Sequence, residues 1–471
     1  MRKFLMVVAV GALTLLMAAP VMAVDFKFGA EYRVRMYDGQ NFNFTNVTGS
    51  NPRGVQIRIR PIFDVSDDNG NIQARLRFEI GDVEFGNGGG ANGPFNGAGT
   101  IGAGANRVGA GAGGSAGTDG VNVETKNAYI DFALPFGVPG RLRAGLQPWY
   151  LPKSLIIDDD FAGIKVYGTV KPISYDLFWY RPNGGQLTAA VPAGAAGMSA
   201  TSNTLDNNYD FFGGKVDAAL APFFNPGLYY IFGANKAGAP AGGLDAMSES
   251  HYVGLTVTGK LGIVNYDVDW VYGSAEGGTT GAFVDAAGNR IETKGWALDG
   301  HVAFPVGPVT INLAAAYITG DKRDGGSSEA FPSPAGSWNG AGGGFEMIGS
   351  GGPFDAMEFT QEVPTNIWML GGWIEYVPVK QLWLKAAYGY AGFVEKLGNC
   401  SNAPANTCYG PVYAGKDNKM QTSGGIGHEF SLRADYTLWT NFKIQGQMGW
   451  LFPKAGASTA AEYVLQFLYS F

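Results

Sequence analysis

Past its first two dozen residues the chain has no uninterrupted apolar run approaching the roughly 18 residues of a membrane-crossing helix. A helical anchor in the mature protein is therefore excluded. Cysteine is nearly absent: Cys400 and Cys408 are the only two, and no Cys-x-x-Cys-His motif is present to carry a covalent haem. Histidine is scarce as well. His251, His301 and His428 lie far from one another and from the cysteines in sequence, which argues against a metal centre. Charged residues make up only 15% of the chain, against about 25% in ordinary soluble domains. Acidic residues outnumber basic ones by 40 to 33, which argues against general nucleic-acid binding. No segment repeats at a fixed period, so a solenoid is disfavoured. The glycine-rich stretch from Phe85 to Gly120 lacks a Lys-Ser/Thr ending, so it is no phosphate cradle. Asp299 and His301 share a strand face, but no nucleophile is placed beside them. The chain reads as a non-enzyme without a cofactor.

What is present begins with residues 1–23. Arg2 and Lys3 precede an apolar run from Phe4 to Met17 and then Val21-Met22-Ala23, which is the charged start, apolar middle and small cut-site ending of a cleaved secretory signal. Residues 24–471 would then form the mature chain as one domain. Export implies an oxidising compartment, where Cys400 and Cys408 are expected to form one disulfide inside a single loop. The chain is 46% hydrophobic and 13% aromatic despite its low charge. A soluble protein does not reconcile those numbers, whereas a barrel that places apolar residues at alternate positions does.

That alternation starts at once. Val24, Phe26, Phe28, Ala30, Tyr32, Val34 and Met36 interleave with Asp25, Lys27, Glu31, Arg33 and Arg35, so one strand face suits lipid and the other water. The second strand sets Val55, Ile57, Ile59 and Phe63 against Gln56, Arg58 and Arg60. A third sets Ile72, Leu76 and Ile80 against Arg75, Arg77 and Glu79, and a fifth sets Leu142, Ala144 and Leu146 against Arg141, Arg143 and Gln147. Continued to the end, the pattern predicts an all-β transmembrane antiparallel barrel of about 18 strands. Short turns such as Pro305-Val306-Gly307-Pro308 and Thr440-Asn441 alternate with long connections such as Gly320 to Val363 and Val394 to Gly425, the asymmetry of periplasmic turns and extracellular loops.

An arginine facing lipid at the bilayer midplane would cost about 2–4 kcal/mol, so inward arginines are expected in any barrel. Their clustering carries more information. Arg33, Arg35, Arg58, Arg60, Arg75, Arg77, Arg141 and Arg143 fall on neighbouring strands and are the predicted pore lining. Asp176, Asp217, Asp267, Asp269 and Asp299 fall inward on the other half, with Lys215 and Lys260 in partial compensation. Opposed walls of opposite sign would put a transverse field across the pore.

The last strand, Glu462 to Phe471, is aromatic on one face and ends in Tyr-Ser-Phe. It resembles the closing strand of Gram-negative outer-membrane proteins. The segment from Trp149 to Asp160, third of the outer loops, ends in Asp158-Asp159-Asp160. It resembles the third loop of general porins, which folds into the barrel and sets acids opposite an arginine cluster. That resemblance implies Asp158, Asp159 and Asp160 as constriction residues and a homotrimer in outer-membrane lipid and lipopolysaccharide. It also implies passive diffusion of small hydrophilic solutes and ions. Gly145-Leu146-Gln147, Ile156-Ile157-Asp158 and Gly163-Ile164-Lys165-Val166 are similar to a region of eighteen-stranded alginate-export and substrate-specific porins. This implies, as the alternative, a selective channel for anionic solutes or polysaccharide. A structural barrel sheathing a partner protein is a third reading, distinguished by the absence of conductance.

Overall fold

The computed structural model describes residues 24–41, 53–85, 123–183, 209–235, 247–277, 292–322, 327–332, 338, 343–348, 366–395, 425–454 and 458–471. The signal segment, most of the glycine-rich connection, and Cys400 and Cys408 with their expected disulfide lie outside these residues. Eighteen strands run in chain order: β1 (Val24–Gln40), β2 (Arg53–Asp67), β3 (Ile72–Glu84), β4 (Val123–Ala133), β5 (Arg141–Tyr150) and β6 (Asp158–Val170). Then follow β7 (Ile173–Asn183), β8 (Tyr209–Ala218), β9 (Asn225–Asn235), β10 (Met247–Leu261), β11 (Val264–Gly277) and β12 (Glu292–Val306). The last six are β13 (Val309–Ile318), β14 (Ile367–Val379), β15 (Leu382–Phe393), β16 (Gly425–Trp439), β17 (Phe442–Pro453) and β18 (Ala460–Ser470).

Each strand pairs antiparallel with its neighbours in sequence, and β1 pairs with both β2 and β18, so the sheet closes on itself. At the seam Arg33 lies opposite Leu468 and Arg35 opposite Gln466. The Ala30 amide donates to the Phe471 carbonyl at 3.0 Å and the Phe471 amide returns a bond to Ala30 at 3.1 Å. From Ala30 to Asp38 the seam leaves β1 paired on both sides, as strands that cross a lipid bilayer require. No described helix is long and apolar enough to cross one.

The period-two pattern explains which face turns out. Phe26, Phe28, Tyr32 and Met36 of β1 are exposed, while Arg33, Arg35 and Tyr37 between and beyond them are buried. Aromatic residues gather on the outside towards both ends. Near the short turns Phe28 packs on Phe63 and Phe471, and Tyr32 stacks on Phe471. Towards the long connections Trp296 stacks on Tyr317, and Phe430 on Trp450. Amphipathic rings in two bands suit the two membrane–water interfaces.

The interior is not a bare tube. Leu151 and Leu155 to Ile157, from the connection between β5 and β6, are buried. So are Phe331, Trp338, Phe345, Met347 and Ile348, from the connection between β13 and β14. Together with inward residues of β5 to β17, including Tyr180, Phe211, Tyr252 and Trp373, they make one apolar cluster inside the barrel.

Candidate pore and its constriction

The eight arginines lie on the inward faces of β1, β2, β3 and β5, but most are committed to carboxylates. Arg33 reaches Asp82 at 2.6 Å, with Arg35 3.7 Å from the same residue. Arg60 bridges Glu79 at 2.5 Å and Glu31 at 3.6 Å, while Arg58 stands 3.8 Å from Glu79. Arg75 grips Asp64 through both ends of its guanidinium, at 2.7 and 2.8 Å. Asp131 on β4 accepts from Arg141 at 2.5 Å, from Arg143 at 2.8 Å and from the Tyr167 hydroxyl at 2.5 Å. Arg77 has no carboxylate within bonding reach among the described residues, and its Nε is buried without a partner. Side-chain exposure rises along the barrel axis, from 8% at Arg35 through 14% at Arg58 and 22% at Arg60 to 41% at Arg75. On this wall the lumen is tight towards the long connections and widens towards the short turns.

The acids that neutralise the arginines were only partly legible. Asp64 and Asp131 sit in phase with their partners and could have been found by extending the alternation. Asp82 and Glu84 could not. On β3, Ile80 pairs with Ile59 but Val83 with Ile57, so β3 gains one residue there. Gly81 sits at that bulge with φ +118°. The extra residue reverses the parity of the strand, so inward positions are odd before it and even after it. Asp82 and Glu84 thereby join Arg33 and Tyr37 inside.

On the opposite wall the aspartates are more fully engaged than the expected partial compensation by Lys215 and Lys260. Asp176 is held by Lys165 at 3.2 Å and Asp217 by Lys215 at 2.7 Å. Asp269 accepts from the buried Tyr229 hydroxyl at 3.1 Å. Asp267 and Asp299 instead hold a loop. Between β5 and β6 the chain makes a single 3-10 turn at Pro152–Ser154, and Lys153 extends from it to Asp267 on β11 and to Asp299 on β12, the latter at 3.5 Å. Strands β7 to β10 lie between the loop's base and these anchors, so the contact crosses the lumen. Lys153 and Ser154 adopt φ of +60° and +53°, left-handed values that cost a side-chain-bearing residue about 1–2 kcal/mol each. The ion pairs, the Ser154 Oγ bond to Asp158 at 2.9 Å and the buried Leu155 to Ile157 hold that shape. Behind the loop Trp149 stacks on Tyr180 at 4.5 Å.

Asp158, Asp159 and Asp160, read from the sequence as the constriction, are on β6 rather than in the loop. The ladder continues to Tyr150 opposite Asp158, which shortens the loop to the residues between them. Asp158 is taken by Ser154, and Asp160 accepts from Asn127 at 3.0 Å with Lys126 3.9 Å away. The group at the tip is a cation, Lys153.

A second connection meets the first. The Trp338 indole donates to Asp299 at 2.8 Å, so Asp299 anchors both inward segments. Farther along, the Glu429 carboxylate on β16 accepts the backbone amides of Glu346, Met347 and Ile348 at 2.7, 3.1 and 2.6 Å, while Lys385 pairs with Glu346. His301, the one histidine on the inward face, lies between Asp267 and Asn312, at 2.9 Å from each, and stacks flat on Trp373. Its partners are structural, and no nucleophile completes a catalytic set among them.

Comparison with solved structures gives the same architecture. The chain aligns with OccK8 (OprE) of Pseudomonas aeruginosa over 95% of its length and 98% of that chain, with a TM-score of 0.53 and 13% identity. The outer membrane protein opdK of the same organism and OccAB2 of Acinetobacter baumannii each match over the same shares, with TM-scores of 0.53 and 11% identity. The chain has the fold of a Gram-negative outer-membrane porin. No family model and no curated protein sequence matches it. In this fold the closed barrel and its outward aromatic bands suit strands that cross a lipid bilayer.

Proposed function

We propose that the mature protein is a passive diffusion channel for small hydrophilic solutes and ions. The observation that carries this reading is the Lys153 strap, which narrows a closed barrel by holding a short loop against Asp267 and Asp299. Size exclusion is set by the strapped loop and by the segment docked on Asp299 and Glu429. The arginine face gives a weak anion preference, because carboxylates within the same wall cancel most of its charge. By resemblance to porins the barrel is a homotrimer surrounded by lipid and lipopolysaccharide.

Single-channel recording in planar bilayers tests this directly. Wild-type protein should give stable conductance steps, and Lys153→Met should enlarge them by releasing the loop tip from Asp267 and Asp299. Unchanged steps in the variant would overturn the role given to the strap, and silence of the wild type would favour a sheath around a partner.

The sequence-based alternative, a selective channel for anionic solutes or polysaccharide, draws support from Arg77, whose buried Nε has no hydrogen-bond partner among the described residues. Under a salt gradient, joint replacement of Arg58, Arg60, Arg75 and Arg77 by Gln should move the reversal potential towards cation preference. A reversal potential that stays put would remove these arginines from any account of selectivity.

A further inference from the structure

Below the strapped loop, on the side of the short turns, the inward faces of β5 to β11 enclose two clefts of about 620 and 510 Å³ that share Ser174, Lys215 and Asp217. They form one trough, of a size that suits a small-molecule site. Most of its charges are paired: Arg141 with Asp131, Lys165 with Asp176, Lys215 with Asp217 and Lys153 with Asp267, while Asp269 accepts from the Tyr229 hydroxyl. A net anion or cation gains little there, because to bind it must break a pair already formed. A neutral molecule rich in hydroxyls breaks nothing, since carboxylate oxygens keep spare lone pairs and ammonium groups spare donors while paired. Thr256, Thr258 and Asn225 add uncharged polar groups to the same lining.

One aromatic side chain does not fit the pattern of burial. Tyr150, at the end of β5 where the chain turns inward, lines the larger cleft with 69% of its surface exposed. It has no ring or hydrogen-bond partner among the described residues. The neighbouring Trp149 is buried behind it against Tyr180. An open ring above charge-balanced polar groups presents what a sugar ring uses: a flat face for its C–H side, and donors and acceptors for its hydroxyls.

The geometry points to a binding trough for neutral polyhydroxylated solutes of mono- to disaccharide size, with Tyr150 as the stacking platform. This rests on the diffusion-channel reading and names a solute class for it.

The test is current blockade of the full-length protein in planar bilayers, with glucose and maltose as probes and potassium chloride as carrier. Maltose should reduce the current with saturation. Tyr150→Phe should retain the block, whereas Tyr150→Ala should raise the half-blocking concentration by about tenfold, the equivalent of one lost ring contact. A conducting barrel in which maltose gives no saturating block overturns the trough alone. So does an Ala variant that binds maltose as the wild type does, or citrate blocking at lower concentration than maltose. Absence of any potassium chloride conductance overturns the channel reading, and the trough with it.

Discussion

Asp131 shows how single residues set the electrostatics of this lumen. Its carboxylate is almost wholly buried and receives two arginines and a tyrosine hydroxyl, so it satisfies three donors that would otherwise need water. Arg143 is steadied further, lying over the Tyr129 ring at 4.4 Å. Replacing Asp131 by Asn keeps the shape and removes the charge. The expected cost is about 1–3 kcal/mol for donors left poorly matched, seen as a lower unfolding temperature of the barrel on heated gels. The same change should increase anion preference in the reversal potential, because Arg141 and Arg143 lose their counter-charge. If both readouts stay at wild-type values, the cluster does not govern the local field. Arginine placement was legible from the alternation and from the penalty for charge against lipid. Their neutralisation was not, because a list of inward residues on each strand says nothing about which side chains meet.

At the scale of elements, strands were easier to read than loops. Each strand is constrained by two neighbours and two solvents, so its residue types must follow period two. β6 already begins at Asp158, and this takes the three aspartates out of the loop expected from Trp149 to Asp160. Loops obey no such period, and the inward turn of Lys153 depends on aspartates contributed by β11 and β12, more than a hundred residues away. The docking of residues 346–348 is similar, with one carboxylate of β16 collecting three amides. Glu429→Gln replaces one acceptor oxygen with an amide NH2 that donates and cannot accept, at an expected cost of about 2 kcal/mol. The segment should then leave its site more often, giving brief openings to higher conductance in single-channel records. A quiet trace identical to wild type would show that this anchor does not hold the segment against the wall.

For the whole molecule, closure is the organising constraint. The β1–β18 seam combines a ladder from Glu31 to Gln40 with ring contacts from Phe28 and Tyr32 to Phe471. Removing Tyr469, Ser470 and Phe471 would unpair Ala30, Glu31 and Tyr32 on that side and so lengthen the edge of β1 that already lacks a β18 partner, an edge within lipid that no water can satisfy. The truncated chain should yield little heat-modifiable folded barrel on gels compared with full-length protein. Wild-type yields would place the stability of the seam farther up, between Arg33 and Gln40.

The barrel class, a count of about eighteen strands, the closing strand and the inward position of the arginines followed from the sequence. A bilayer on one face and water on the other impose a pattern that each strand must carry within its own ten or so residues. Which acids cancel those arginines, that Gly81 reverses the parity of β3, and that Lys153 straps a loop to Asp267 and Asp299 were decided only by the tertiary structure. The same holds for the charge-balanced trough beneath that loop. These depend on contacts between strands distant in the chain, and such contacts exist only once the sheet has closed.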